Sequence, residues 1–148
     1  MKDFTMKTKR FLAVDSQVGL LLTLEEKILS GFPEYHLDMA TTFEDGRQLM
    51  LMVMYDLVIL DIMSSPGANL LDLILSRKLP VLVLSDNVTL PEALSQFNGL
   101  RIKAFLPKKD LDNIVPVIEH ILKSEDLPHW KRDLEKLWGL SNLAGPGN

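Results

Sequence analysis

Short apolar runs alternate with longer stretches in which apolar residues recur every three or four positions. Phe11 to Val14 is uninterrupted and reads as a strand. Val18 to Leu29 places Val18, Leu21, Leu22, Leu24, Ile28 and Leu29 at helical spacing, with Gly31 as the expected stop. His36 to Ala40 alternates, as an edge strand does, and Glu44 to Met54 reads as a helix with no clear end signal. Leu57 to Leu60 is a second continuous run, set between Asp56 and Asp61. Ser64 to Gly67 predicts a turn, and Leu70 to Arg77 a short helix. Val81 to Leu84, led in by Pro80, is the cleanest strand. Thr89 predicts the cap of a helix with Pro91 in its first turn, running to Asn98-Gly99. Lys103 to Leu106 reads as the last strand. Asp112 opens a helix to Lys123, buried along Ile114, Val115, Ile118, Ile121 and Leu122, with Pro116 in the first turn or at a bend.

Five strands alternating with five helices, the strands nearly continuous in apolar residues, predict a parallel sheet covered on both faces. Right-handed crossovers then give a flavodoxin-like, doubly wound (βα)5 α/β fold, over residues 9–123. Residues 124–148 fall outside the pattern. Asp126-Leu-Pro-His opens an amphipathic helix with Leu127, Trp130, Leu134, Leu137 and Trp138 on one stripe, and Ala144 to Asn148 reads as a disordered tail. The stripe must bury against something. Docking on the chain's own surface is the preferred expectation, and a protein partner or homodimer contact is the alternative.

Composition narrows the classes. The chain of 148 residues is 47% hydrophobic and 24% charged, which suits one globular domain with its own core. A net charge of −4 gives no footprint for nucleic acid. There is no cysteine, so no disulfide framework or thiolate metal site. Apolar runs fall well short of the ~20 residues of a membrane span, and the basic first ten residues lack a signal-peptide core. The expectation is a cytoplasmic protein with no membrane contact. His36, His120 and His129 have no ligand-like spacing and read as surface residues.

In such a sheet, chemistry gathers at the carboxyl ends of the strands near the topological switch point. Those ends carry Asp15-Ser16, Asp61, Ser85-Asp86 and Lys108-Lys109. An Asp after a strand is often only a helix cap or turn residue. Two carboxylates, a hydroxyl and an ammonium at successive strand ends favour a site. Paired carboxylates hold a hard cation such as Mg²⁺, one can act as a nucleophile, and the hydroxyl and ammonium suit phosphoryl oxygens.

The same residues resemble the receiver domain of two-component response regulators. Tyr55-Asp-Leu-Val-Ile-Leu-Asp61 resembles the phospho-acceptor strand. Arg10 to Asp15 resembles the first strand and acidic pocket, Val81 to Ser85 the strand ending in the switch hydroxyl, and Ala104 to Lys108 the last strand. The resemblance implies a non-enzymatic phosphorelay module. Asp61 would accept a phosphoryl group from a histidine kinase or phosphotransfer protein. Asp15, Asp61 and the backbone carbonyl of Met63 would hold Mg²⁺. Ser85 and Lys108 would bind the phosphoryl group, and Ser85 with Phe105 would switch an output face for a downstream protein.

Several positions depart from that family's pattern. Ser16 stands where a second acid is usual, which predicts weaker Mg²⁺ binding. Asp86 replaces a small residue. Lys109 replaces a proline, which predicts a trans peptide and leaves the aim of Lys108 open. Pro66-Gly67 arrives one residue late. Two functions follow: a stand-alone phosphorylatable receiver, favoured by Asp15, Asp61, Ser85 and Lys108, or a degenerate receiver binding proteins without phosphorylation, favoured by Ser16, Asp86 and Lys109. A flavodoxin-like enzyme or nucleotide binder is disfavoured, because Val14-Asp-Ser-Gln17 replaces any glycine-rich phosphate loop.

Overall fold

The computed structural model describes residues 8–86 and 99–125. Its strands are β1 (Arg10–Val14), β2 (His36–Ala40), β3 (Leu57–Leu60), β4 (Pro80–Ser85) and β5 (Arg101–Pro107), in the order β2-β1-β3-β4-β5 and parallel throughout. The three inner strands are the continuous apolar runs, and every residue of β3 and β4 is buried. The two edge strands keep polar residues because one side of each ladder faces away from the sheet. Strand order reverses between β1 and β3, so the switch point lies where these two strands end.

The helices are α1 (Val18–Gly31), α2 (Phe43–Met52), α3 (Ser65–Asn69), α4 (Leu71–Arg77) and α5 (Ile114–Glu125), the last preceded by a 3-10 helix over Lys108–Asn113. Thr42 starts α2: its hydroxyl accepts from the Asp45 amide at 3.1 Å, and Glu44 and Asp45 complement the positive end of the helix dipole. α2 ends two residues before the expected Met54, because Val53 is already extended at φ −129°, ψ 139°. Gly31 is the last residue of α1 rather than a stop beyond it. Pro116 lies in the first turn of α5, where its missing amide costs nothing.

Ser64 to Gly67 is not a turn: Ser64 precedes α3 in extended conformation without a side-chain cap bond, and Pro66 occupies the first turn. The expected helix from Thr89 and the stripe from Leu127 to Trp138 lie outside the described residues. The chain divides into two compact units, Met1–Val115 and Pro116–Asn148. The whole sheet belongs to the first. In the described part of the second, Ile118, Ile121 and Leu122 are buried at helical spacing.

Leu12, Val14, Val58, Leu60, Val81 and Val83 point to one face of the sheet, where they form a core with Met50 of α2, Leu70 and Ile74. Phe11, on the opposite face of β1, meets Phe32 and Tyr35 edge-on, at ring-centroid distances of 6.4 and 5.6 Å. This chain therefore has helices on both faces of a five-stranded parallel sheet, the flavodoxin-like architecture.

A polar cluster ties the amino ends of the strands. Asp38 accepts from the Tyr55 hydroxyl at 2.6 Å and from Arg10 Nε at 3.1 Å. Burial works against ionised Asp38, but the bonds from Tyr55 and Arg10 outweigh it and hold the carboxyl below its ordinary value of 3.8. Burial and Asp38 push Tyr55 well above the usual tyrosine value. A lowered carboxyl pKa stabilises the fold above the ordinary value, and that stability is lost as pH falls through the folded-state value. Tyr55→Phe should therefore cost about 1–2 kcal/mol at neutral pH, with a smaller cost below pH 4 than at pH 7. Denaturant melts of both proteins across that range check the difference.

Candidate functional site at the switch point

The site grows from the strand ends. β1 carries Asp15 out of the sheet directly after Val14, and β3 carries Asp61 directly after Leu60; Val14 and Leu60 are paired in register. The two carboxylates thus leave adjacent strands side by side. Both residues are buried, at 1% and 9% exposure. Lys108 follows β5 and reaches back over the edge. Its Nζ lies 2.9 Å from Asp15 Oδ2 and 2.9 Å from Asp61 Oδ2. The sequence left this aim open. The Lys108–Lys109 peptide is trans, as all are among the described residues, and the side chain still enters the pocket.

The backbone holds the other two carboxylate oxygens. Asp15 Oδ1 accepts from the Gln17 amide at 2.8 Å, at the start of α1. Asp61 Oδ1 accepts from the Met63 amide at 2.9 Å. Desolvation works to lower the Lys108 pKa, but its contacts with Asp15 and Asp61 outweigh burial and hold the ammonium above its ordinary 10.5. Ion-pair stability of that sign is fully present below pH 10.5 and is lost as pH rises past it.

Ser85 ends β4, buried, in register with Pro107 and so one residue from Lys108. Phe105 pairs with Val83 and is 41% exposed on the edge strand. Ser16, Asp86 and Lys109, each next in sequence to Asp15, Ser85 or Lys108, are exposed. The Met63 side chain points to solvent, while its backbone contacts Asp61.

The donors suit a hard cation. Asp15 Oδ2 is buried and makes no directed hydrogen bond: the ammonium approaches it closely but off a bonding direction, as a charge contact. A metal would have to displace the Lys108 ammonium from that oxygen. Mg²⁺ keeps several waters and takes one or two carboxylates, so the adjacent Asp15 and Asp61 carboxylates fit it. The set is lean: among the described residues no group of three or more His, Cys, Asp and Glu side chains could hold a metal.

Two residues that touch Asp61 escaped the sequence reading. The Asp61 carbonyl accepts from Ser64 Oγ at 2.8 Å and from the Ser64 amide at 3.2 Å. Gly67 packs directly on that carbonyl. A cap-like Ser64 with Pro66 just inside is a helix-start signal that could have placed α3.

No protein-family model matches the sequence, and no curated protein matches it. Solved structures do. A CheY-like response regulator receiver domain protein from Methanospirillum hungatei superposes with a TM-score of 0.67 at 19% identity, over 81% of this chain and 98% of that one. A signal receiver domain of an HD domain-containing protein from Pseudomonas fluorescens gives 0.65 at 24% identity, over 79% and 96%. The response regulator TrrA from Thermotoga maritima, solved in complex with Mg²⁺ and BeF, gives 0.62 at 24% identity, over 78% and 98%. The five parallel strands, their order and these superpositions give the chain the fold of the response regulator receiver domains.

Proposed function

We propose that this chain is a phosphorelay receiver that takes a phosphoryl group on Asp61 and signals by protein–protein contact. The carrying observation is Lys108 at 2.9 Å from both strand-end carboxylates, Asp15 and Asp61. An ion pair that merely filled a core would not need both acids at the switch point, where parallel sheets keep their ligand sites. The donor is a phosphohistidine of a histidine kinase or phosphotransfer protein. An Asp61 carboxylate oxygen attacks phosphorus; the new P–O bond forms as the N–P bond breaks, and the imidazole nitrogen leaves with the electron pair.

The Met63 amide fixes Asp61 Oδ1 and so orients Oδ2 outward. Lys108 leaves Oδ2 for the incoming phosphoryl oxygens, keeping its charge beside the charge that develops. Ser85 donates its hydroxyl to a phosphoryl oxygen, and Phe105 follows, which shifts the population of two packings at the β5 edge. Mg²⁺, held by Asp15, Asp61 and the Met63 carbonyl, would supply further charge neutralisation. The module is not itself an enzyme with a turnover substrate. It works in the cytoplasm; no described helix is long and apolar enough to cross a membrane.

A second reading is favoured by two exposed positions: Ser16 withholds an acid and Asp86 adds a carboxylate next to Ser85, which would suit a receiver that binds partners without phosphorylation. Thermal melts separate the two. With Mg²⁺ and beryllofluoride the wild-type midpoint should rise by several degrees, as for any ligand bound by the folded state alone, and the Asp61→Asn midpoint should not. Equal midpoints with and without the ligands in the wild-type protein would favour the second reading.

A further inference from the structure

The segment after Asp61 rests against one of two closely packed glycines. A Cβ on Gly67 would stand 2.2 Å from the Asp61 carbonyl oxygen, 3.0 Å from its carbonyl carbon and 3.1 Å from Leu60 Cδ1. On the far side of α3, a Cβ on Gly46 of α2 would stand 2.7 Å from Leu70 Cδ1. Leu70, at the α3–α4 junction, is fully buried in the core. So the first turn of α3 rests on the Asp61 carbonyl. The same carbonyl takes both Ser64 bonds, and two residues along the Met63 amide holds Asp61 Oδ1.

We infer that Gly67 is a positioning residue for Asp61: by letting α3 seat on the Asp61 carbonyl, it sets the Asp61–Ile62 peptide, and through it the path along which the Met63 amide reaches the carboxylate. Ser64 locks the seat. The inference deepens the phospho-acceptor reading and rests on it for its consequence, though the geometry is independent of phosphorylation. The two glycines differ in what opposes them. Against Gly46 stands the methyl end of a flexible leucine, which can repack. Against Gly67 stands backbone, which must rotate or move away.

The test compares Gly67→Ala, Ser64→Ala and Gly46→Ala in the full chain, first by NMR of the Met63 amide and the Asp61 carboxyl carbon, then by the rate of acetyl phosphate labelling with Mg²⁺. Gly67→Ala should shift both resonances strongly and slow labelling on the order of 100-fold, the scale of a misplacement near 1 Å. Ser64→Ala should shift them in the same direction by less, and it keeps the test decisive where Gly67→Ala does not fold. Gly46→Ala should lower the melting midpoint and leave both resonances and the rate near wild type. Unmoved resonances in Gly67→Ala or Ser64→Ala, or equal shifts in Gly46→Ala, would overturn the inference. Shifted resonances with no labelling in the wild-type protein would leave the positioning role standing and refute the phospho-acceptor reading instead.

Discussion

Lys108→Met should destabilise the protein by about 3–5 kcal/mol at neutral pH, the scale for removing one partner of a buried ion pair. Asp15 and Asp61 are buried together, and Lys108, itself 9% exposed at the side chain, is the cation between them. Its removal leaves two carboxylates facing each other with no countercharge. Methionine keeps the length and apolar stem of the side chain, so packing loss stays small. Added Mg²⁺ should recover part of the loss in Lys108→Met and give a smaller gain in the wild-type protein, because there the ammonium already holds the oxygens that the metal needs. Denaturant midpoints with and without Mg²⁺ measure both effects. A loss below about 1 kcal/mol, the scale of an exposed pair, would mean that solvent screens these charges.

Phe11→Ala should cost about 3–5 kcal/mol, as deletions of buried aromatic rings do. Phe11 is fully buried on the face of β1 opposite Leu12 and Val14. Its ring is met edge-on by Phe32 and Tyr35, which stack on each other at 5.0 Å. The cavity would open beneath the α1–β2 connection, away from Asp15 and Asp61. Destabilisation should therefore come without a change in the Met63 amide resonance. Urea denaturation gives the first quantity and a heteronuclear NMR spectrum the second.

What was legible in the sequence is what local pattern encodes. A parallel strand buried on both faces must be apolar at every position, so Leu57 to Leu60 and Val81 to Leu84 announced themselves, and the polar residues that follow them marked the open edge of the sheet. The family resemblance followed from those strand ends. Contacts made across the chain were not legible. Asp38 meets Arg10 and Tyr55 over 28 and 17 residues of sequence, and no periodicity reports such a pairing. Pro66-Gly67 read as a turn because proline and glycine are turn residues, whereas here proline starts a helix and glycine lets it touch a carbonyl. The aim of Lys108 depended on how β5 ends against β4, in the pairing of Pro107 with Ser85, which only the folded register supplies.

Intact-mass spectrometry after incubation with acetyl phosphate and Mg²⁺ tests the proposal that Asp61 takes a phosphoryl group. The wild-type protein should gain one phosphoryl group, dependent on Mg²⁺, and Asp61→Asn none. An unchanged wild-type mass under those conditions, with the protein folded, would contradict it.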